Sequence, residues 1–284
     1  MQTILVTGAN GQLGNELRVL SESCHNIHFI FTDQAELDIT DSEAVMHYVA
    51  QQPVDFIVNC AAYTAVDKAE NDEDKCYQIN ALAVSYLAHA AQTVGAKMIH
   101  VSTDYVYSGT ACTPYVETDP TDPTSVYGTT KLAGEQLMFQ QLEQGIVLRT
   151  SWLYSSFGGN FVKTMMQLGA TRERLTVIAD QVGTPTYARD LAEAILHIVQ
   201  HPTFVPGVYN YSNEGACSWY DFAVKIHELA GITTCQVEPI RTEQYPTPAQ
   251  RPAYSLMDKQ VIKSTYGITI NHWEKSLRAC MARL

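Results

Sequence analysis

Short apolar runs alternate with amphipathic stretches along the first half of the chain. Uniformly apolar runs predict buried β-strands, and apolar positions three or four residues apart predict helices. The predicted strands are residues 2–6, 28–31, 54–60, 97–101 and 145–148, and the predicted helices are 12–20, 42–51, 73–93 and 126–142. This alternation indicates a parallel sheet with helices on both faces. We therefore predict an α/β fold with a Rossmann-type doubly wound parallel sheet, complete by about residue 150.

The alternation loosens in the second half. Helices are predicted over 160–168, 188–199 and 219–230, and a strand over 207–211. Residues 239–252 carry four prolines and resist assignment to a helix or a central strand. We predict a dinucleotide-binding domain over residues 1–150, with 180–210 packing back on it. The remainder, mainly 151–284, is predicted to form a smaller C-terminal substrate-binding lobe.

Composition limits the possible partners. Of 284 residues, 46% are hydrophobic and 17% are charged, which favours a large globular core over a disordered or fibrous chain. The net charge of −12 repels phosphate backbones and anionic headgroups, so we expect neither nucleic acid nor a membrane as partner. Seven cysteines without CxxC spacing, and no leader or membrane-spanning run, favour a cytoplasmic protein with reduced thiols.

A glycine-rich turn, GANGQLG, follows the first predicted strand and opens the first predicted helix. In this setting the first glycines let the turn pass tightly under a pyrophosphate, and the last lets the helix pack on the strand. The amides and dipole of the helix N-terminus then face the phosphates. The predicted cofactor-binding residues of the turn are Gly8, Asn10, Gly11, Gln12, Leu13 and Gly14.

Asp33 follows the second predicted strand. A carboxylate at this place accepts hydrogen bonds from an adenosine ribose and repels a 2′-phosphate, which slightly favours NADH. A solvated loop aspartate or a helix cap explains it nearly as well, so NADPH stays open. Asp38 and Ile39 are further candidates, beside the adenine.

Tyr127 and Lys131 lie four residues apart in a predicted helix, and therefore on one face of it. An ammonium near a phenol favours the phenolate and lowers its pKa, which suits a general acid. Thr103, at the end of a predicted strand, is placed to hydrogen-bond a substrate oxygen on which negative charge develops. An exposed helical Tyr and Lys pair is the ordinary alternative.

The blocks GANGQLG, NCAAYTAVDKAE, STDYVYSG and YGTTKLAGE resemble the extended short-chain dehydrogenase/reductase family. RTSWLYS, GGNFVKTM, DQVGTPT and RPAYSLMD resemble the branch that reduces the 4-keto group of a dTDP-sugar, and the match runs from residue 4 to about 258. The resemblance implies an oxidoreductase that uses NADH or NADPH. It makes Tyr127 the proton donor, makes Lys131 its tuning residue and ribose ligand, and makes Thr103 the group that polarises the C4 ketone.

The resemblance also implies a substrate site. The residues expected around the sugar are Thr64, Val66, Asp104, Tyr105 and Trp152, with Ala61 and Ala62 beneath the cofactor and Asn160 near the nucleotide. Each has a plain structural alternative, such as core packing for Val66 and Trp152. Arg251 is a candidate for the substrate pyrophosphate because guanidinium binds phosphate bidentately, and a surface ion pair is equally credible.

Rival functions differ at a few residues. Related sugar-nucleotide dehydratases carry Thr-Asp-Glu where this chain has Thr103-Asp104-Tyr105, so the carboxylate base for elimination is missing. A 4-epimerase, which keeps the same Tyr and Lys, and a non-catalytic subunit like that of methionine adenosyltransferase both stay open.

Metal binding and assembly form a separate question. Some relatives dimerise through acidic residues that share magnesium. Arg189 stands at one of those positions, so we predict no metal site and leave a homodimer or a monomer open. Glu16 could be a remnant of such a magnesium site, but a first-turn helix glutamate favoured by the dipole is a sufficient explanation.

Overall fold

The computed structural model describes all residues, 1–284. Six parallel strands form the central sheet, with the bounds Gln2–Thr7 (β1), Ile27–Thr32 (β2), Phe56–Asn59 (β3), Lys97–Thr103 (β4), Gly145–Thr150 (β5) and Gly207–Asn210 (β10). Their order across the sheet is β10-β5-β4-β3-β1-β2. From β1 the chain crosses to β2 on one side and then returns to β3 on the other side of β1, so the strand order reverses between β1 and β3. Such a switch point opens a ligand crevice at the carboxyl ends of the strands.

Helices cover both faces of this sheet, as predicted. Their bounds are Gln12–Ser21 (α1), Ser42–Ala50 (α2), Ala83–Val94 (α5), Val126–Gln141 (α6) and Ala188–Gln200 (α8). Leu17 of α1 and Ile195 of α8 pack in one buried cluster, and Val45 of α2 and Leu87 of α5 pack in another. The α/β prediction with a doubly wound parallel sheet is confirmed.

The prediction that the sheet is complete by residue 150 is wrong. Its sixth strand, β10, pairs in parallel with β5, in a register that joins Gly207 to Ile146 and Asn210 to Arg149. Every residue of β5 is buried, and a strand buried throughout needs a neighbour on both edges as well as cover on both faces. The chain returns to supply that neighbour after α8.

The predicted helix 73–93 is a continuous helical run with an irregular turn inside it. The run begins with α4 (Glu73–Tyr77), continues through a π-helical turn (Gln78–Leu82) and ends with α5. Such turns are rare and occur often at functional sites. Here the turn carries Asn80, whose side chain accepts a hydrogen bond from the Tyr63 amide at 2.8 Å and donates to the Tyr63 carbonyl at 3.1 Å. It therefore anchors the loop that follows β3.

The remaining elements surround three two-stranded ladders. The strands are Leu153–Tyr154 (β6), Arg174–Ile178 (β7), Val182–Gly183 (β8), Thr186–Tyr187 (β9), Cys217–Ser218 (β11) and Gln236–Ile240 (β12), paired β6 with β9, β7 with β12, and β8 with β11. The helices are Val66–Ala69 (α3), Phe161–Thr171 (α7), Trp219–Ala230 (α9), Gln260–Tyr266 (α10) and Trp273–Met281 (α11).

Two features of this part bear on the predictions. Pro239 lies within β12, so the proline-rich segment does begin in a strand; a strand of a two-stranded ladder has a free edge, where a proline loses no pairing. The bounds predicted for α9 are confirmed, and a capping box between Ser218 and Asp221 fixes its start. None of the helices has the length and apolar character needed to span a bilayer.

Candidate active site

A cavity of about 790 Å³ runs along the carboxyl ends of β1, β3, β4 and β5. Most of the site residues expected from the sequence line it. They are Gly8, Gly11, Gln12, Leu13, Gly14, Asp33, Asp38, Ile39, Ala61, Ala62, Thr64, Val66, Thr103, Asp104, Tyr105, Tyr127, Lys131, Trp152 and Asn160. The fold thus brings together residues that are distant in sequence, although their individual roles stay predictions.

Two expected residues are not in this lining. Asn10 is exposed, and its backbone amide donates to Asp33 Oδ2 at 2.9 Å, so it closes the turn against the end of β2. Arg251 lines a second cavity instead. Asn10 therefore supports the first cavity from outside, whereas Arg251 could contact only a ligand group that enters the second cavity.

The glycine-rich turn fits closely between its neighbours. Gly8 has φ +65°, and a Cβ placed there would lie 2.6 Å from the Ala61 nitrogen. A Cβ at Gly14 would lie 2.5 Å from the Cα of Ala9. The turn thus needs glycine at both positions, and a compact backbone of this kind leaves amides free to face a ligand, as a pyrophosphate requires.

The end of β4 meets the start of α6 at the centre of the cavity. Thr103 Oγ1 lies 3.1 Å from Asp104 Oδ1 and accepts a hydrogen bond from the Tyr105 amide at 3.2 Å. Helix α6 approaches this segment so closely that a Cβ at Gly128 would lie 2.3 Å from the Tyr105 carbonyl oxygen. As a result the Tyr105 and Tyr127 rings meet edge to face, with centroids 5.5 Å apart.

The electrostatics of the pair differ from the prediction. Burial raises the pKa of Tyr127, a hydrogen bond from the Thr103 side chain acts to lower it, and Asp104 raises it further. Lys131 is not among the groups that lower it; its Nζ donates to the Val101 carbonyl at 2.6 Å and lies 3.3 Å from His100 Nε2. Burial lowers the pKa of Lys131 itself to about 8. In this arrangement the expected lowering of the phenol pKa by the ammonium is wrong.

Asp104 is a buried carboxyl group with an unused oxygen. Its side chain is 2% exposed, and Oδ2 has no hydrogen-bond partner. Burial raises its pKa to about 6, and hydrogen bonds from Ser255 and Thr103 act in the opposite direction. A carboxyl group in this state is mostly an acceptor at neutral pH and gains a proton that it can donate as the pH falls through about 6.

Two tryptophans form a wall of the cavity. Trp152 is the one non-glycine residue with a positive φ, at +46°, and its ring stacks on Trp219 with centroids 3.6 Å apart. A strained backbone held by packing is a recurrent mark of functional sites. Trp219 was missed from the sequence, because it begins α9, far along the chain, and no local pattern links it to Trp152.

The second cavity, of about 840 Å³, lies beyond this wall and shares Trp219 with the first. Its lining combines apolar side chains with polar and charged groups. The arginines in that lining are Arg172, Arg174 and Arg251. Arg251 is held by Asp67, with Nη1–Oδ1 and Nη2–Oδ2 distances of 3.0 and 2.7 Å. The ion-pair alternative for Arg251 is therefore observed, and its binding of phosphate stays a prediction.

A buried ion pair that the sequence did not reveal lies behind the site. Glu135, one turn beyond Lys131 on α6, accepts a short hydrogen bond from Ser102 and pairs with Arg149, with an Nη2–Oε2 distance of 2.7 Å. Arg149 also donates to the Tyr107 hydroxyl at 2.9 Å. The pair ties α6 to β4 and β5 directly beneath the cavity.

Glu16 has a different role from the one predicted. It is the fifth residue of α1 and fully buried, so the first-turn dipole explanation is wrong. Its carboxylate accepts hydrogen bonds from Arg283 at 2.9 Å and Ser155 at 2.7 Å, and Arg189 lies at 3.8 Å. The arginines balance the charge and link α1 to the C-terminal segment.

A glycine-rich turn between β1 and α1, a Thr, Tyr and Lys set at one cavity, and a second cavity in the C-terminal part define an extended short-chain dehydrogenase/reductase. The family model described as RmlD substrate binding domain matches residues 1–284. The chain therefore belongs to the RmlD family.

The relatives agree with this. A spore coat polysaccharide biosynthesis protein, SpsK, from Bacillus subtilis strain 168 is 42% identical, over 98% of this chain and 96% of its own. A solved dTDP-4-dehydrorhamnose reductase from Clostridium acetobutylicum superposes with a TM-score of 0.95 at 43% identity, over 99% of each chain. Another from Bacillus anthracis, in complex with NADP, gives 0.96 at 38% identity over 100% of both. The resemblance found from the sequence is confirmed.

Proposed function

We propose that this protein reduces dTDP-4-dehydro-L-rhamnose to dTDP-L-rhamnose with NADH or NADPH. The observation that carries the proposal is the convergence of Thr103, Tyr127 and Lys131 on the cavity that the glycine-rich turn also lines. The substrate class comes from the similarity to reductases named for it, one of which was solved with NADP.

The cavity fits a dinucleotide on its own geometry. Gly8 and Gly14 leave no room for side chains, so backbone lies open along the place for the pyrophosphate. Asp33, Asp38 and Ile39 line the end for the adenosine, and Ala61, Ala62, Tyr127 and Lys131 line the end for the nicotinamide. A nicotinamide cofactor held there supplies the hydride.

The protein's own groups manage the proton. Tyr127 has a raised pKa, so its hydroxyl is protonated at neutral pH before the reaction. The C4 oxygen of the substrate becomes more basic than the Tyr127 phenolate as it turns into an alkoxide, and it then takes the proton from Tyr127. The Thr103 hydroxyl, whose single proton points to Asp104 Oδ1 in the structure, would turn to donate to the same oxygen as its charge develops. Lys131 supplies hydrogen bonds at the floor of the cavity.

The two cavities divide the substrate between them. The sugar would lie in the first, among Thr64, Val66, Tyr105 and Trp152, with Asp104 below it. The nucleoside diphosphate would lie in the second, where apolar walls suit the base and Arg251, with Arg172 and Arg174, suits the phosphates. Asn160, whose side chain caps α7 and bonds to Gln12, lies where cofactor and substrate would meet. Residues 1–150 with 180–210 would thus hold the cofactor, and the rest mainly the substrate.

The partners and setting follow from this function. We propose a cytoplasmic enzyme whose ligands are a dTDP-sugar and a nicotinamide cofactor, with neither nucleic acid nor a membrane as partner. A homodimer and a monomer both fit the proposal. Sedimentation of the purified protein would decide between them.

One assay tests the proposal against its rivals. The purified protein is mixed with NADH or NADPH and a panel of 4-keto sugar nucleotides, and nicotinamide absorbance is followed. We expect oxidation of the cofactor with dTDP-4-dehydro-L-rhamnose. Tightly retained NAD⁺ with interconversion of C4 epimers would instead show a 4-epimerase, and cofactor binding without turnover would show a non-catalytic subunit.

A further inference from the structure

The side chain of His100 lies against the inner side of Lys131. His100 is in the middle of β4 and has no exposed surface, and its Nε2 lies 3.3 Å from Lys131 Nζ. Its Nδ1 lies 3.0 Å from Asn59 Nδ2, on the neighbouring strand β3. The imidazole thus lies between Asn59 Nδ2 and Lys131 Nζ. The ring nitrogen that carries the proton is a hydrogen-bond donor to its neighbour, and the other ring nitrogen is an acceptor.

A backbone amide determines that position. The Ala61 N–H can only donate, and it points at Asn59 Oδ1 at 3.1 Å, where the Thr7 hydroxyl also donates at 2.7 Å. The other end of the Asn59 side chain, facing His100, is therefore its NH₂ group, which can only donate. His100 Nδ1 must accept this hydrogen bond, so the neutral ring carries its proton on Nε2.

The Nε2–H group then points at Lys131. An ammonium has no lone pair, so it cannot accept a hydrogen bond, whereas an amine can. We propose that His100 is a positioning residue for Lys131, favouring its amine form and turning the protons of its ammonium form away from the interior, toward Val101 and the cavity. The proposed function gives Lys131 a part in the reaction. Only the expected effect of His100 on turnover rests on that proposed function; its effect on the protonation of Lys131 does not.

The other titratable neighbours of Lys131 act in the opposite direction. Glu135 on α6, Cys76 on α4 and Cys60 after β3 each raise the pKa of Lys131, while burial lowers it more. Burial and the lysine charge hold the pKa of His100 well below its usual range, in keeping with a ring that stays neutral. His100 is thus the one side chain within hydrogen-bond distance of Nζ, and it presents a donor.

The first measurement needs no variant. In protein without cofactor or substrate, ¹⁵N NMR of labelled histidine reports which ring nitrogen carries the proton. We expect His100 to be neutral with the proton on Nε2 from roughly pH 5 to 9. A proton on Nδ1, or a charged ring in this range, would overturn the proposal, and failure of the sugar substrate to turn over would not affect it.

The second measurement uses His100→Asn, whose side-chain oxygen can still accept from Asn59 but which has no group at the place of Nε2. The titration midpoint of Lys131, followed through its ¹³Cε resonance, should rise by about one pH unit from its value near 8. The alkaline limb of kcat should move by the same amount. His28→Asn, an exposed histidine on β2, is the matched control and should move neither. A midpoint that stays or falls in folded His100→Asn would contradict the proposal.

Discussion

Arg251 and Asp67, 184 residues apart in the chain, form a two-point ion pair in the lining of the second cavity. The Asp67 side chain is 40% exposed and that of Arg251 22%, so solvent screens the pair and its own contribution to stability is small. Asp67 therefore holds the guanidinium in place through a weak ion pair, and under the proposed function the substrate diphosphate would compete with Asp67 for the guanidinium donors.

This arrangement predicts a binding defect in Arg251→Gln. Loss of charge-assisted hydrogen bonds worth about 1.5–3 kcal/mol should raise KM for the sugar nucleotide about tenfold or more. The kcat value and the affinity for the cofactor should change little, because the reacting atoms lie in the other cavity. Steady-state kinetics would measure this, with Arg278→Gln, at an exposed surface arginine, as the control. An unchanged KM would remove Arg251 from the substrate site.

The glycine-rich turn allows a matched pair of substitutions. Gly8→Ala and Gly95→Ala both place a Cβ at positive φ, which costs about 1–2 kcal/mol. At Gly95 the added Cβ meets nothing within 4 Å, whereas at Gly8 it meets the backbone of Ala61. We expect Gly8→Ala to lose nicotinamide binding in a fluorescence titration and Gly95→Ala to keep it. Equal binding by the two folded variants would show that the turn does not hold the cofactor.

The buried pair of Glu135 and Arg149 should dominate the stability of the region behind the site. Glu135→Gln leaves the Arg149 guanidinium buried without a counter-charge, and we expect a loss of about 3–5 kcal/mol in the free energy of unfolding. Arg174→Gln, which breaks the exposed pair with Glu238, should cost less than about 1 kcal/mol. Urea denaturation of both variants measures the difference. Similar small losses would mean that water reaches Arg149.

Asp104 should make stability depend on pH in an unusual direction. Its pKa in the folded protein, about 6, lies above its ordinary value of 3.8, so the folded state binds more protons than the unfolded state between these values. Ionised Asp104 then destabilises the fold at neutral pH, and this penalty diminishes as the pH falls through 6.

The variant that tests this is Asp104→Asn. Its free energy of unfolding should exceed that of the unchanged protein by about 2–3 kcal/mol at pH 7.5, and by about half as much at pH 5. Denaturant unfolding at the two pH values gives both differences. A constant difference would mean that burial does not perturb this carboxyl group.

The sequence predicted the parts of the fold that depend on local patterns. Uniformly apolar strands and the glycine-rich turn located β1 and its helix to within a residue, and Ser218, the N-cap of α9, lies directly before the predicted start. The closing strand β10 was found as a strand, but its place beside β5 was not, because pairing between distant strands leaves no local mark.

The site shows the same division. Tyr127 and Lys131 were found from their spacing on a helix, since helical geometry relates positions four apart. Trp219, Asp67 and Glu135 were missed, because each acts through a residue that only tertiary packing brings near. The error about the pKa of Tyr127 has the same origin: spacing places a lysine near a tyrosine, but it does not show that tertiary packing buries the phenol, and this burial raises the pKa.

Proton donation by Tyr127 is tested most directly by comparing turnover with cofactor binding in Tyr127→Phe. Reduction of dTDP-4-dehydro-L-rhamnose is followed at equal cofactor occupancy, which is set by titration beforehand. We expect the dissociation constant for the cofactor to change little and kcat to fall by about 10²–10⁴-fold, the usual contribution of a general acid. A kcat unchanged in this variant would show that the proton comes from another group.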